Sequence, residues 1–371
     1  MNTSFLPNIE KNAIIQLEKI FPMQIVQRDG SEPKMKYNNN LVVVSENNVV
    51  GLFLNGFKIP TSLDSSNGFF RVKKYAISEY DGVLGVLSAF GELKELAIQN
   101  LPIRHIPKSI FSLKRLEKLT LFNLNIDTLP GEIKSLGSLR ELKIYKTWLQ
   151  EIPDSIGGLL NLDFLLIVES WLEKISPCIG RCKRLVKLVL NTNKLKALPD
   201  SIGNLQNLID LSAGVNYITQ IPDSIGKLSN LEEIFLSENE ISQIPDSIGN
   251  LTKLKKIFAG KNILLQLPNS IGNLSNLREL HLDNNNISRV PEAIGQVTRL
   301  EYLDLSYNRI PVLPDSIGNL SNLQRLFLSG NKLKSLPESL MKLNHLETIG
   351  VGSYQLGNIS SDMKKWLMDR F

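Results

Sequence analysis

A leucine recurs every 23 residues for most of this chain. It stands at Leu93, Leu116, Leu139, Leu162, Leu185, Leu208, Leu231, Leu254, Leu277, Leu300, Leu323 and Leu346. The segment LEEIFLSENEISQIPDSIGNLTK from Leu231 is followed by LKKIFAGKNILLQLPNSIGNLSN, LRELHLDNNNISRVPEAIGQVTR and LEYLDLSYNRIPVLPDSIGNLSN. Two weaker units precede, at Val49 (VVGLFLNGFKI) and Val72 (VKKYAISEY), giving fourteen in all, the first two degenerate and the last truncated. Length alone suggests two or three domains. A sustained repeat argues instead for one continuous stack, because no single unit can bury its own apolar side without neighbours.

The chemistry of one unit predicts its shape. In LxxLxL the apolar residues alternate, so they line one side of a short strand. Asn193, Asn216, Asn239, Asn262, Asn285, Asn308 and Asn331 share one slot after the strand. A stacked amide there can donate to and accept from turn backbone. The proline later in the unit holds the preceding residue extended. Asp-Ser-Ile-Gly then begins a short outer helical turn, with Asp suited to its positive start and Gly permitting close packing.

The pattern LxxLxLxxNxIxxIPxSIGxLxx resembles the leucine-rich repeat family. Its 23-residue form is similar to plant intracellular Ras-group-related and many prokaryotic repeat proteins. The resemblance covers roughly residues 49 to 356. It implies an α/β solenoid: a horseshoe with a parallel concave β-sheet, short helices or 3-10 turns on the convex side, and caps at both ends.

The expected organisation is an N-terminal helical cap and linker (1–40), a repeat domain (41–356) and a C-terminal helical cap (357–371). Ile9, Ala13, Ile14, Leu17 and Ile20 recur at helical spacing, and RDGSEPKMKYNNN reads as a polar linker. Leu41–Ser45, Glu46-Asn47-Asn48 and Val49–Leu54 read as a hairpin supplying an antiparallel strand. Ser360 or Ser361 is a candidate cap for a helix whose Met363, Trp366 and Leu367 cover the last unit.

The outer turns barely change between units, whereas the strand residues do. Specificity is therefore expected on the concave face. Glu95, Lys118, Glu141, Phe164, Lys187, Asp210, Glu233, Lys256, Glu279, Tyr302 and Arg325 share a row whose signs often alternate, the pattern of a cross-strand ion-pair ladder. The expected partner-binding residues are Tyr145, Trp148, Phe164, Leu166, Val168, Trp171, Val189, Tyr217, Phe235, Phe258, His281, Tyr302, Tyr307, Arg325 and Phe327. Exposed aromatics cost solubility unless covered, and Trp, Tyr and Arg are common interface anchors. In the units from Leu93 to Leu162 the Asn slot holds Leu101, Leu124, Thr147 and Ser170, so those turns must be satisfied differently.

Several chemistries find no support. There is no GxxxxGK[ST], HExxH or paired CxxC. Cys178 and Cys182 read as structural thiols. A nucleophile–base–acid set of Ser306, His281 and Asp304 lacks an evident oxyanion donor. Lys+Arg 42 against Asp+Glu 37 leaves only +5, too diffuse for a nucleic-acid footprint. No apolar run is long enough for a membrane span, and the start does not read as a signal peptide. The reading is thus a non-enzymatic, cytoplasmic scaffold, without cofactor or metal, that binds a protein partner. A monomer is expected. The resemblance to Ras-group-related proteins implies a small GTPase or another signalling protein. The alternatives are the recognition part of a secreted effector or ubiquitin-ligase system, and a self-associating homodimer.

Overall fold

The computed structural model describes residues 7–18, 24–27, 41–45, 48–55, 84–352 and 359–370. The weak unit at Val72, the polar linker and Ile20 lie outside the described residues. The chain forms two compact units, Met1–Leu172 and Glu173–Phe371.

In the first unit, helix α1 (Asn8–Glu18) precedes β1 (Gln24–Gln27), β2 (Leu41–Ser45), β3 (Asn48–Asn55), β4 (Glu95–Gln99), β5 (Lys118–Phe122), β6 (Glu141–Tyr145) and β7 (Phe164–Val168). The strands lie in that order in the sheet. β2 and β3 form the expected antiparallel hairpin, and β3 pairs parallel with β4. β1, from the short run QIVQ, adds a parallel strand to β2 that no sequence pattern announced. On α1, Ala13, Ile14 and Leu17 are buried, but Ile9 is 65% exposed and does not join them. Glu10 takes the buried place instead, its carboxylate accepting a hydrogen bond from the Val49 N–H at 3.0 Å.

The second unit holds β8 (Lys187–Val189), β9 (Asp210–Ser212), β10 (Glu233–Phe235), β11 (Lys256–Phe258), β12 (Glu279–His281), β13 (Tyr302–Asp304), β14 (Arg325–Phe327) and β15 (Thr348–Gly350). These strands pair parallel and in register, with equivalent slots side by side, as in Glu233↔Lys256 and Phe235↔Phe258. Helix α2 (Ser361–Arg370) ends the unit. The Ser360 hydroxyl accepts from the Met363 N–H at 3.2 Å, and Met363 is fully buried. Trp366 and Leu367 are only half-buried.

A 3-10 turn follows each full coil. Asp223–Lys227 is typical: Pro222 at its start is extended, and the turn closes as the Leu228 N–H donates to the Ile225 carbonyl. Gly226 has no room for a side chain, since a Cβ there would stand 2.5 Å from the Ser247 carbonyl oxygen of the next coil. The glycine is required by close approach, not by backbone angle.

Asparagine ties neighbouring coils together. The Asn285 side-chain nitrogen donates to the carbonyls of Leu282 in its own coil (3.1 Å) and Ala259 in the previous one (2.9 Å). Its oxygen accepts from the Leu264 N–H at 3.0 Å. Asn216, Asn239, Asn262 and Asn308 repeat this pattern while buried. Asn193 is buried and donates to the Leu190 carbonyl, and the half-buried Asn331 bonds three backbone groups. In the first unit hydroxyls take over: Thr147 and Ser170 meet at 3.0 Å, and the Ser170 hydroxyl accepts from the Thr147 N–H. Leu101 and Leu124 fill the slot with apolar bulk.

Candidate functional site

Each strand of β10 to β14 buries its middle residue and turns the two flanking residues to the open face of the sheet. Parallel in-register pairing therefore builds two columns there. One holds Glu233, Lys256, Glu279, Tyr302 and Arg325; the other holds Phe235, Phe258, His281, Asp304 and Phe327.

The rings form one continuous row, stacked from Phe235 to Tyr302 and tilted by 43° at Phe327. Phe235 and Phe258 lie 4.5 Å apart between centroids and 10° from parallel. Phe258 and His281 follow at 4.3 Å and 13°. At β13 the second column carries Asp304, and Tyr302 crosses from the first column to continue the stack, 4.3 Å from His281 and 5.4 Å from Phe327. Phe235, Phe258, His281, Tyr302 and Phe327 are all among the expected partner-binding residues, at separate points along the chain. His281 links Phe258 to Tyr302.

The charged column is internally paired. Lys256 lies 3.5 Å from Glu233 and 3.4 Å from Glu279, and Lys187 lies 2.5 Å from Asp210. Glu279, then Glu233, raise the Lys256 pKa above its ordinary value. Burial, Asp304 and Asp283 raise that of the Tyr302 phenol, which keeps its proton. Arg325 is exposed. His281 contacts Glu279 at 3.4 Å, while the Ser306 hydroxyl donates to Asp304 at 2.6 Å. These bonds do not link Ser306, His281 and Asp304 through the imidazole.

The first unit has its own aromatic cluster. Phe122 and Tyr145 sit 6.1 Å apart at 59°, with Lys146 5.8 Å from the Phe122 centroid. Lys143 lies 5.1 Å from the Phe164 ring and 2.7 Å from Glu141. Burial pushes the Glu141 carboxyl up, but Lys143 and Lys118 outweigh it and hold it below the ordinary range. Phe164, Leu166 and Val168 are half-buried on the same face. Phe122 was overlooked in the sequence, although it stands one repeat before Tyr145.

Several expected positions need correction. Trp148 and Trp171 are exposed, at 47% and 51%, but lie three residues past β6 and β7, in the following turns. The strand ends before the Asn slot, so residues beyond that slot leave the sheet. Tyr217 and Tyr307 also lie beyond their strands and are exposed. Val189 is buried at 8%. Its short branched side chain does not rise above its neighbours as the phenyl rings do.

The columns of leucines, the amide ladder and the 3-10 turns define the relatives to which this chain compares. A family described as leucine-rich repeat region matches residues 213–301, and leucine rich repeat matches 299–320 and 322–343. The chain is a leucine-rich repeat protein.

A leucine-rich repeat protein of Leptospira interrogans is similar in structure, with TM-score 0.63 and 28% identity, over 87% of this chain and 88% of that one. The plant peptide hormone receptor RGFR1, solved in complex with RGF2, is similar at TM-score 0.57 and 31% identity over 72% of this chain. This chain spans 49% of that receptor chain. An internalin (InlF) of Listeria monocytogenes shares the fold at TM-score 0.57 and 20% identity, over 82% of this chain and 90% of that one. No curated protein sequence matches the chain. In this leucine-rich repeat protein no described helix is long and apolar enough to cross a membrane, and no described acidic, His or Cys cluster is arranged to hold a metal. The fold is in general a non-catalytic binding scaffold.

Proposed function

We propose that this leucine-rich repeat protein is a non-catalytic scaffold that binds a protein partner on the open face of its sheet. The observation that carries the reading is the row of five adjoining rings from Phe235 to Phe327, the first four of them stacked. Half-buried rings on an open face gain apolar contact area when a partner covers them. The strands beneath are fixed by the amide ladder, so little ordering entropy is lost on binding. RGFR1 is a peptide hormone receptor in complex with RGF2, which supports a polypeptide ligand here by analogy. The small-GTPase reading rests on sequence resemblance alone.

Selection of a displayed random-peptide library tests the proposal. Peptides enriched on the wild-type chain should lose binding on Phe258→Ala with Tyr302→Ala, while the thermal melt shows the variant folded. Enriched peptides that bind the folded variant equally well would contradict it.

A further inference from the structure

The stack limits what it can receive. Successive rings cover each other's faces at 4.3 to 4.5 Å from Phe235 to Tyr302, so the rings inside the row present only their edges. A base or sugar needs a free ring face to stack on. Ring edges offer instead an apolar strip, weakly positive in its quadrupole, suited to aliphatic side chains.

Beside the strip acidic groups outnumber basic ones, with Asp283 and Asp304 set against the exposed Arg325. Glu279 is shared with Lys256. Asp283 lies two residues beyond His281, and Asp304 is its register partner on β13. Asp283 accepts a hydrogen bond from the Asn284 side chain at 2.9 Å, and Asp304 accepts from Ser306. Both donors are neutral, and neither aspartate forms an ion pair among the described residues. Lys261 is within electrostatic reach of Asp283 but is bonded to Glu238 at 2.8 Å. Two carboxylates outside any described ion pair thus border an apolar strip.

We propose that the ligand of this strip is an extended peptide segment of the protein partner in which apolar residues alternate with lysine or arginine. This rests on the binding function proposed above and adds the chemistry of the ligand. Apolar side chains on one side of the peptide lie along the ring edges, and a long basic side chain from its other side reaches back past the border of the strip to Asp283 and Asp304. An extended chain turns alternate residues to one side at about 3.3 Å per residue, so the row, with four ring-to-ring steps of 4.3 to 5.4 Å, accommodates about five or six residues.

Fluorescence anisotropy with the full chain and three labelled octapeptides tests this: alternating Leu-Lys, alternating Leu-Glu and alternating Ser-Lys. The Leu-Lys peptide is expected to bind at least tenfold more tightly than either other. Asp283→Asn with Asp304→Asn should reduce that preference over Leu-Glu to threefold or less. Phe258→Ala should weaken Leu-Lys binding at least fivefold. Equal binding of Leu-Glu and Leu-Lys, or an unchanged preference in the folded double variant, overturns the charge assignment. If Phe258→Ala still weakens binding in that case, the binding face stands and only the ligand chemistry fails. Peptide binding indifferent to Phe258→Ala overturns both. Equal binding of Ser-Lys also overturns the proposal, since the rings would then contribute nothing.

Discussion

Single side chains do three separable jobs in each coil. The amide of Asn285 satisfies two carbonyls and one N–H out of reach of water. Asn285→Ala strands these groups and should lower stability by on the order of 1–3 kcal/mol in chemical denaturation; a shift within error would show that water replaces the amide. Gly226 is held by space alone, because its missing Cβ would meet the next coil. Gly226→Ala should cost about 1–3 kcal/mol through forced separation of coils, read in the same titration. The serine of the same turn behaves oppositely. Ser224 is among seven turn serines whose buried hydroxyls find no hydrogen-bond partner among the described residues. Ser224→Ala removes an unpaired polar group and should leave stability unchanged or raise it by up to about 1 kcal/mol. A clear loss would show that the hydroxyl has a partner.

Also at this scale, the residue before each Asn slot is left-handed. Ten non-glycine residues have φ between 51° and 60° there, among them Val215 and Thr192. The position accepts such varied side chains that the sequence gives no sign of it. The cost of the conformation, about 1–2 kcal/mol per residue, is borne because these backbone groups bond the next coil, as when the Val215 N–H donates to the Ser237 carbonyl at 2.9 Å.

Among elements, the strands and turns of full coils follow directly from period and alternation, and the hairpin follows from its turn and β-branched runs. The ends are less legible. β1 is only four residues long, with Ile25 and Val26 adjacent and no alternation to mark it, and its pairing is a tertiary choice. On α1, helical spacing identified Ala13, Ile14 and Leu17 but could not foresee that a glutamate would outrank Ile9 for burial. Glu10 is placed by the unpaired N–H of Val49. Burial raises its pKa, Val49 opposes this, and Glu92, itself paired with Arg115, adds to it. A folded-state value above that of the free side chain means the docked helix holds the proton more tightly. That contribution is fully present below the ordinary glutamate range and is lost as pH rises through the raised folded value. Glu10→Gln keeps an acceptor for Val49 without the charge. It should melt higher than wild type at pH 7, with the gap closing near pH 4. An equal gap at both values would show that the charge is not the cost.

For the molecule as a whole, the repeat made the solenoid legible because every coil gives the same local instruction, and each is stabilised only by its neighbours. In the candidate site, sequence alone picks out the rings of β10 to β14 but neither their connections nor the turn positions of Trp148, Trp171, Tyr217 and Tyr307. The aromatic residues stood out as departures from the repeat, but their linkage depends on Tyr302 changing columns to bypass Asp304, which no count along the chain reveals. Trp148 and Trp171 occupy equivalent slots of neighbouring coils, yet each strand ends before that slot. The two aromatic clusters belong to different compact units, and the stack in Glu173–Phe371 is the one the functional reading depends on.

That dependence has a direct readout, because His281 sits in the middle of the stack while His105 and His345 are exposed elsewhere. Acylation of the three histidines by diethylpyrocarbonate, followed by peptide mass spectrometry, can be compared with and without a selected ligand peptide. The account predicts that ligand slows labelling of His281 several-fold and leaves His105 and His345 unchanged. Labelling of His281 at the same rate in the bound chain would contradict it.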